Sequence, residues 1–419
     1  MQPEVDLLRS LDDEPDTPSK VDIVWAISAG RRRKMRRGAG YAGVAGLTAL
    51  AVAGTAVATG LLGGGPPKHV PATATTKPST AAKPRPAYTI PGTPGWHAQP
   101  ATAPTSCELE ELPVPGNVAM ALVSGADPTG RYLVGRSYPT SGDSTYQAVL
   151  WHDGKGTNVM LPGSLEESLR DVNSGGTAVG WSYDQDGPVP YAYRDGKVSK
   201  LPGVRHGSAE AIYDAGAIVG DDNNGTALVW PSTTAHPIRL PVPPGAGDAQ
   251  ARDIDEDGTV VGSLALNKPY VWFADGTHRE LPMPKLDGKP AAVAAAFDIR
   301  DGWVTGMAGA LPIKGSGAKA SAKTFAIRWN LRTGEVQNFG RFRYPADAVN
   351  AQGWQIGTTP DGYAVMLTDA STVRLPDLAK HRSDGTATIA NAVSDDGRTI
   401  AGQSDDAGGT INAVVWRCH

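Results

Sequence analysis

Seven copies of one short motif, spaced 40 to 51 residues apart, constrain this 419-residue chain more than any other feature. Each copy is a turn carrying Asp or Asn and Gly, then a small β-branched run, then a closing glycine. The closing residues are Gly135, Gly180, Gly220, Gly262, Gly306, Gly357 and Gly402. An Ala/Val-rich strand ending in an aromatic follows, marked by Trp151, Tyr193, Trp230, Trp272, Trp329 and Trp416. A Leu-Pro pair comes about ten residues later, at Leu161, Leu201, Leu240, Leu281 and Leu375. We read two departures in the sixth copy: Leu367 where Trp is expected, and Asn338-Phe339-Gly340 in place of Leu-Pro. A period of 40–50 residues built from short strands and turns is the signature of propeller blades. One four-stranded blade cannot cover its own faces, so blades stack around an axis. Alternation in Thr259-Val260-Val261 and Ala413-Val414-Val415 fits strands. The Gly-bearing joints supply the positive φ of hairpin turns, and the strand-end Trp is read as packing between blades. The predicted fold is all-β: a seven-bladed β-propeller of four-stranded blades.

The ring needs closing. The seventh copy stops at Cys418-His419, with no Leu-Pro strand after Trp416. The missing strand lies at the other end, in Cys107-Glu-Leu-Glu-Glu-Leu112-Pro113. It completes the seventh blade beside Ala413–Trp416. In that register Cys107 and Cys418 occupy the two ends of a tight turn in the first copy, Asp153 and Gly156. The spacing predicts a Cys107–Cys418 disulfide standing in for the turn. These are the only cysteines, which also excludes a disulfide-dense scaffold or a Cys-rich zinc module. A stable disulfide places the domain outside the cytoplasm.

The Asn/Asp-x-x-Gly-x-x-Val-Gly strings and Ala-x-x-Trp strands resemble the HAF-type extracellular propeller repeats of bacterial secreted and surface proteins. The resemblance covers Cys107 to His419. It implies the architecture and is nearly silent on activity. The order of parts looks like surface proteins of high-GC Gram-positive, actinobacterial type.

Upstream the chain divides into three stretches. Residues 1–37 carry 8 Lys/Arg and 7 Asp/Glu and end in Arg31, Arg32, Arg33, Lys34, Arg36 and Arg37. Residues 38–65 hold no charge, and about Ala39 to Leu62 reads as a single transmembrane helix. The basic cluster before it puts residues 1–37 in the cytoplasm and the propeller outside the cell membrane. The alternative is a late signal peptide cut after Ala56-Val57-Ala58. Residues 66–106 contain 10 Pro, 8 Thr and 8 Ala and read as a disordered, semi-extended stalk. In the tail, Val5, Leu7, Leu8 and Leu11 form an apolar set, and Ser19 to Asp22 has the form of a capping box. That combination fits a helix docking a cytosolic partner, or one lying on anionic lipid through its Arg cluster.

Chemistry is sparse. Asp253, Asp255 and Asp257 have the opening of a calcium loop, with Leu264 where the bidentate Glu belongs, so turn-capping Asp residues are the plainer reading. No pair among His69, His97, His152, His206, His236, His278, His381 and His419 has metal-ligand spacing. Glu110-Glu111 and Asp221-Asp222 read as solvated edges and turns. There is no nucleophile elbow, Walker loop or Rossmann glycine string, which weighs against an enzyme and against a cofactor beyond calcium. Residues 107–419 hold 27 Lys/Arg and 36 Asp/Glu, which disfavours nucleic acid. Three functions remain: a binding or scaffold module for a protein or cell-wall glycan, a transmembrane signalling protein of anti-sigma-like arrangement, and a lyase or glycosidase working in the channel.

Overall fold

The computed structural model describes residues 89–139, 146–163, 166–265, 267–309, 324–380 and 388–419. The tail at 1–37, the span at 39–62 and the stalk up to residue 88 lie outside them. Among the described residues no helix is long and apolar enough to cross a membrane.

Those residues form seven four-stranded antiparallel sheets and one small hairpin, Lys285–Leu286 with Lys289–Pro290. Blade 1 is Met120–Ala126, Tyr132–Tyr138, Gln147–His152 and Lys155–Val159. Blades 2 to 6 span 167–200, 208–239, 249–280, 293–342 and 344–374. Blade 7 takes Thr388–Val393, Thr399–Asp405 and Ile411–Cys418 from the end of the domain and Cys107–Glu111 from its start. The first strands touch one another in a closed circle, so the seven sheets form a propeller. The first strand closes the ring as expected, with Cys107 opposite Cys418 and Glu111 opposite Val414, but the register differs by two residues: Leu109, not Cys107, takes the place of Gly156 opposite the strand-end Trp. Cys107 and Cys418 form a disulfide, and no free cysteine is left among the described residues.

The core is divided by blade interface. Each of the seven apolar clusters spans one neighbouring pair, from blades 7 and 1 (Leu112, Val123, Trp151, Val415) round to blades 6 and 7 (Ile356, Met366, Val414, Trp416). The two strongest sequence landmarks meet in these interfaces. Trp151, Trp230, Trp272, Trp329 and Trp416 are fully buried. Each indole N–H donates to the proline carbonyl ending the preceding blade: Pro113, Pro202, Pro241, Pro282 and Pro376, at 2.7–2.8 Å. A buried indole N–H needs an acceptor, and the residue after the fourth-strand Leu provides one.

This pairing corrects the reading of the two departures. Phe339-Gly340 lies on the fourth strand of blade 5, Val336–Phe342, while Leu367 ends the third strand of blade 6. They are the two halves of one missing latch at the 5–6 interface. Phe339 packs against the cluster holding Leu367. Arg328, 1% exposed, occupies the same interface, donating to Gly353 O and lying over the rings of Trp303 and Phe339.

Replacing Trp272 by Phe removes the latch donor and part of the fully buried ring system, leaving Pro241 O unpaired beside a small cavity. The expected loss is about 2–3 kcal/mol of unfolding free energy. Urea titration of the variant against wild type checks it; an unchanged midpoint would show the latch to be energetically idle.

The closing glycines have a steric cause. The first strands of blades 1 to 5 and 7 each carry a one-residue β-bulge, for example between Leu169 and Asp171 and between Ala251 and Asp253. The closing Gly pairs with the residue just before the bulge, as Gly180 does with Leu169 and Gly262 with Ala251. There a side chain would run into a first-strand carbonyl, that of Ser168 beside Gly180 and that of Gln250 beside Gly262.

The folded unit begins before Cys107. Residues 89–106, expected in the stalk, lie against the ends of blades 4 to 7. This Pro/Thr/Ala stretch has no core of its own. It takes one from the propeller by burying Ile90 between blades 3 and 4 and packing Ala101 and Ala103 between blades 6 and 7.

Candidate functional site: the channel and its two ends

The first strand of each blade is a sheet edge, and its outward N–H and C=O groups need partners. The bulges provide them from the preceding blade. Asp171 accepts the N–H of Ile212 at 2.8 Å, Asp253 that of Ile299 at 2.7 Å, and Asp298 that of Val349 at 2.6 Å. Ser124 donates to Leu169 O and Asn391 to Val123 O, both one blade on. Asp253 and Asp298 also hydrogen-bond to each other. Burial raises the pKa of all three carboxyls; for Asp171 burial and then the charge of Asp253 push it to about 8.

The residue inserted at each bulge is half-buried on the innermost strand, toward the channel: Ser124, Arg170, Glu210, Arg252, Phe297 and Asn391 in blades 1 to 5 and 7. Three consecutive members are charged. Arg170 Nε stands 3.3 Å and Arg252 Nη1 3.9 Å from Glu210 Oε2.

One end of the channel is bridged by side chains. The first-to-second-strand turns gather there, and Arg300 of blade 5 reaches across them. Its Nη1 donates to Glu256 of blade 4 at 2.9 Å, and its Nε and Nη2 grip Asp395 of blade 7 at 2.9 and 2.8 Å. Burial opposes the charged guanidinium, but these two carboxylates more than offset it and raise its pKa. Trp96 covers the guanidinium, its ring centre 4.5 Å away. The strap carrying Trp96 is tied down along its length. Thr93 N donates to Glu256 O, His97 Nδ1 lies 2.8 Å from Asp301, Ala101 N donates to Gln352, and Thr105 N donates to His419 O. Arg332 braces Asp301 from the other side. We expect Trp96→Ala to free the strap while leaving the ring intact. Limited proteolysis should cut within 89–106 at least tenfold faster, with the main unfolding transition almost unmoved.

At the opposite end, Arg136 lies 5.2 Å from the ring centres of both Tyr138 and Tyr146 and donates to Glu166 at 2.7 Å. Trp181 and Tyr183 stand edge-on beside them. All are partly exposed.

The candidate calcium residues do not converge. Asp253 serves the bulge clasp described above. Asp255 accepts from Glu256 N, Asp301 N and Gly302 N, tying the blade 4 turn to that of blade 5. Asp257 accepts Thr259 N within its own turn. Among the described residues no group of three His, Cys, Asp or Glu side chains is arranged to hold a metal ion. His152 stacks on Tyr132, His206 lies 3.4 Å from Asp184, and His278 meets Tyr270 Oη. His69 and His381 lie outside the described residues. Glu110 is on the exposed outer strand of blade 7, 3.6 Å from Arg417, and Glu111 beside it is exposed. Asp221 is buried on Ser208 and Asn223 N, whereas Asp222 caps its own turn. Arg300 and Trp96 each occur once, and the bulge position that holds Arg170, Glu210 and Arg252 varies among Ser, Arg, Glu, Phe and Asn, so none of them carries a repeat signal.

No family model matches the chain, and no curated protein matches it. Among solved structures, oligogalacturonate lyase from Vibrio parahaemolyticus aligns over 76% of this chain and 98% of that one, with a TM-score of 0.46 and 11% identity. A likeness of that degree concerns the propeller architecture and leaves activity open.

Proposed function

We propose that this protein is a binding module: a propeller held outside the cytoplasm on a single membrane span at 39–62, offering one channel end to a protein or cell-wall glycan. The observation that carries the reading is the asymmetry of the channel. One end is bridged by Arg300, with Trp96 of the strap over its guanidinium, while the other carries partly exposed Tyr138, Tyr146, Trp181 and Tyr183 around paired charges. Exposed aromatics beside a few fixed polar groups are the composition of recognition surfaces. The Cys107–Cys418 disulfide supports an oxidising compartment. The basic cluster before residue 38 supports the orientation.

Protease shaving of intact cells tests the placement: a disulfide-closed propeller should be released from outside, and full resistance would overturn it. Adding the released propeller back to shaved cells tests the function. Saturable rebinding is expected, weakened by Trp181→Ala; no rebinding would sink the module.

A further inference from the structure

We propose that the waist of the channel binds an oxyanion, the carboxylate or phosphoryl group of a small ligand, between Arg170 and Arg252. The proposal deepens the binding-module reading and rests on it for the ligand's arrival from outside.

The argument begins with what the other waist residues do. Ser124 and Asn391, at the same bulge position, spend their donors on the edge carbonyl of the next blade. Arg170 and Arg252 do not. Arg170 Nε is buried with no hydrogen-bond partner, its nearest carboxylate oxygen being that of Glu210 at 3.3 Å. Arg252 reaches Gln250 Oε1 at 3.4 Å and Glu210 at 3.9 Å. Two guanidiniums bring about ten N–H donors to the site, and the carboxylate between them carries one charge.

The chain can build a tight guanidinium site when structure alone is needed. Arg300 is gripped on two carboxylates at 2.8–2.9 Å and is 13% exposed. Arg170 and Arg252 are loosely held, and their side chains are 40% and 33% exposed. The nearby acids are otherwise engaged, since Asp171 and Asp253 accept backbone N–H groups. What remains is two half-exposed guanidiniums around one carboxylate, with Arg170 Nε lacking a hydrogen-bond partner, in a domain that is acidic overall. A planar or tetrahedral oxyanion satisfies forked donors bidentately. With the strap end bridged by Arg300, the ligand's approach is from the aromatic end.

Calorimetric titration of the full-length protein at constant ionic strength tests this, with inorganic phosphate and succinate as separate arms. Saturable binding of either probe is expected. Phosphate alone would assign a phosphoryl ligand and succinate alone a carboxylate. R170Q and R252Q should each weaken binding at least tenfold. E210Q removes the competing carboxylate and should tighten binding about tenfold, opposite to the effect of removing a merely structural partner. If the glutamine variants fail to fold, R170K and R252K keep the charge, lose the fork and should weaken binding severalfold. The proposal fails if neither probe saturates, if the arginine variants bind as wild type, or if E210Q weakens binding. Probe binding by a propeller that does not rebind cells would overturn the module reading and leave the oxyanion site standing; rebinding without probe binding does the reverse.

Discussion

Replacing both cysteines, C107S together with C418S, is expected to lower the unfolding free energy by about 5 kcal/mol. The bridge joins residues 311 apart, nearly the whole domain. In the chain-entropy picture the stabilisation grows with the logarithm of the closed loop, and a loop of this size lies near the top of the range, about 5 kcal/mol. The native state feels the loss as well. The fourth strand of blade 7 is only Cys107–Glu111, and its partner strand belongs to the far end of the domain. Beyond it, Leu112 N pairs with Ala413 O, and Pro113 O receives the Trp151 latch. Without the bridge this segment should fray first, loosening the interface between blades 7 and 1. Urea unfolding gives the free energy, and hydrogen exchange over residues 107–113 locates the fraying. Reductant should produce the same shift in wild type and none in the double variant. A loss below about 1 kcal/mol with unchanged exchange would mean that strand pairing alone closes the ring.

The ring and its closure were legible because the chain states the same physics seven times. The bulge demands a glycine opposite it, the turn demands Asp or Asn with Gly, and the buried indole demands a carbonyl, so each leaves a periodic mark. The same periodicity exposes the misplacement of Phe339-Gly340. Counted with the copy before it, that pair belongs to the blade facing Leu367, where no indole calls on a proline carbonyl. The strap was not legible. Ten prolines within 66–106 say that the segment cannot build a core, and say nothing of a core it can borrow. Ile90 and Trp96 were the available signal, two large apolar residues in an otherwise small-residue stretch. The channel chemistry was illegible for a different reason. Arg170, Glu210 and Arg252 share a structural position, but it runs Arg, Glu, Arg in three blades and Ser, Phe and Asn in others, so no alignment of the copies within one chain marks them as a set.

Stability should fall as pH rises from about 4 to 8, and D253N should flatten the fall. Burial raises Asp171 to about 8 and Asp255 to about 7, and raises Asp253, Asp298, Glu167 and Glu256 as well. An unfolded chain releases these protons near pH 4. Between pH 4 and 8 the folded ring therefore holds more protons than the unfolded chain, and the stability they confer, complete below pH 4, is lost as pH climbs through the folded values. For Asp171 alone the full linkage would exceed 5 kcal/mol at about 1.4 kcal/mol per pH unit. The residue as a whole is half-buried, and solvent screening reduces such an effect, so about 2–3 kcal/mol is the expected loss between pH 5 and 8.5. The lowered surface carboxyls Asp153, Asp184 and Asp406 act only at the acid end. Asn at position 253 still offers an oxygen to Ile299 N and cannot ionise beside Asp298. D253N should accordingly match wild type within about 1 kcal/mol at pH 5 and exceed it at pH 8.5. Urea unfolding at the two pH values decides the matter. Stability that rises with pH in wild type would mean that the three clasping carboxyls are ionised throughout, and that the blades are joined at the channel by charge rather than by shared protons.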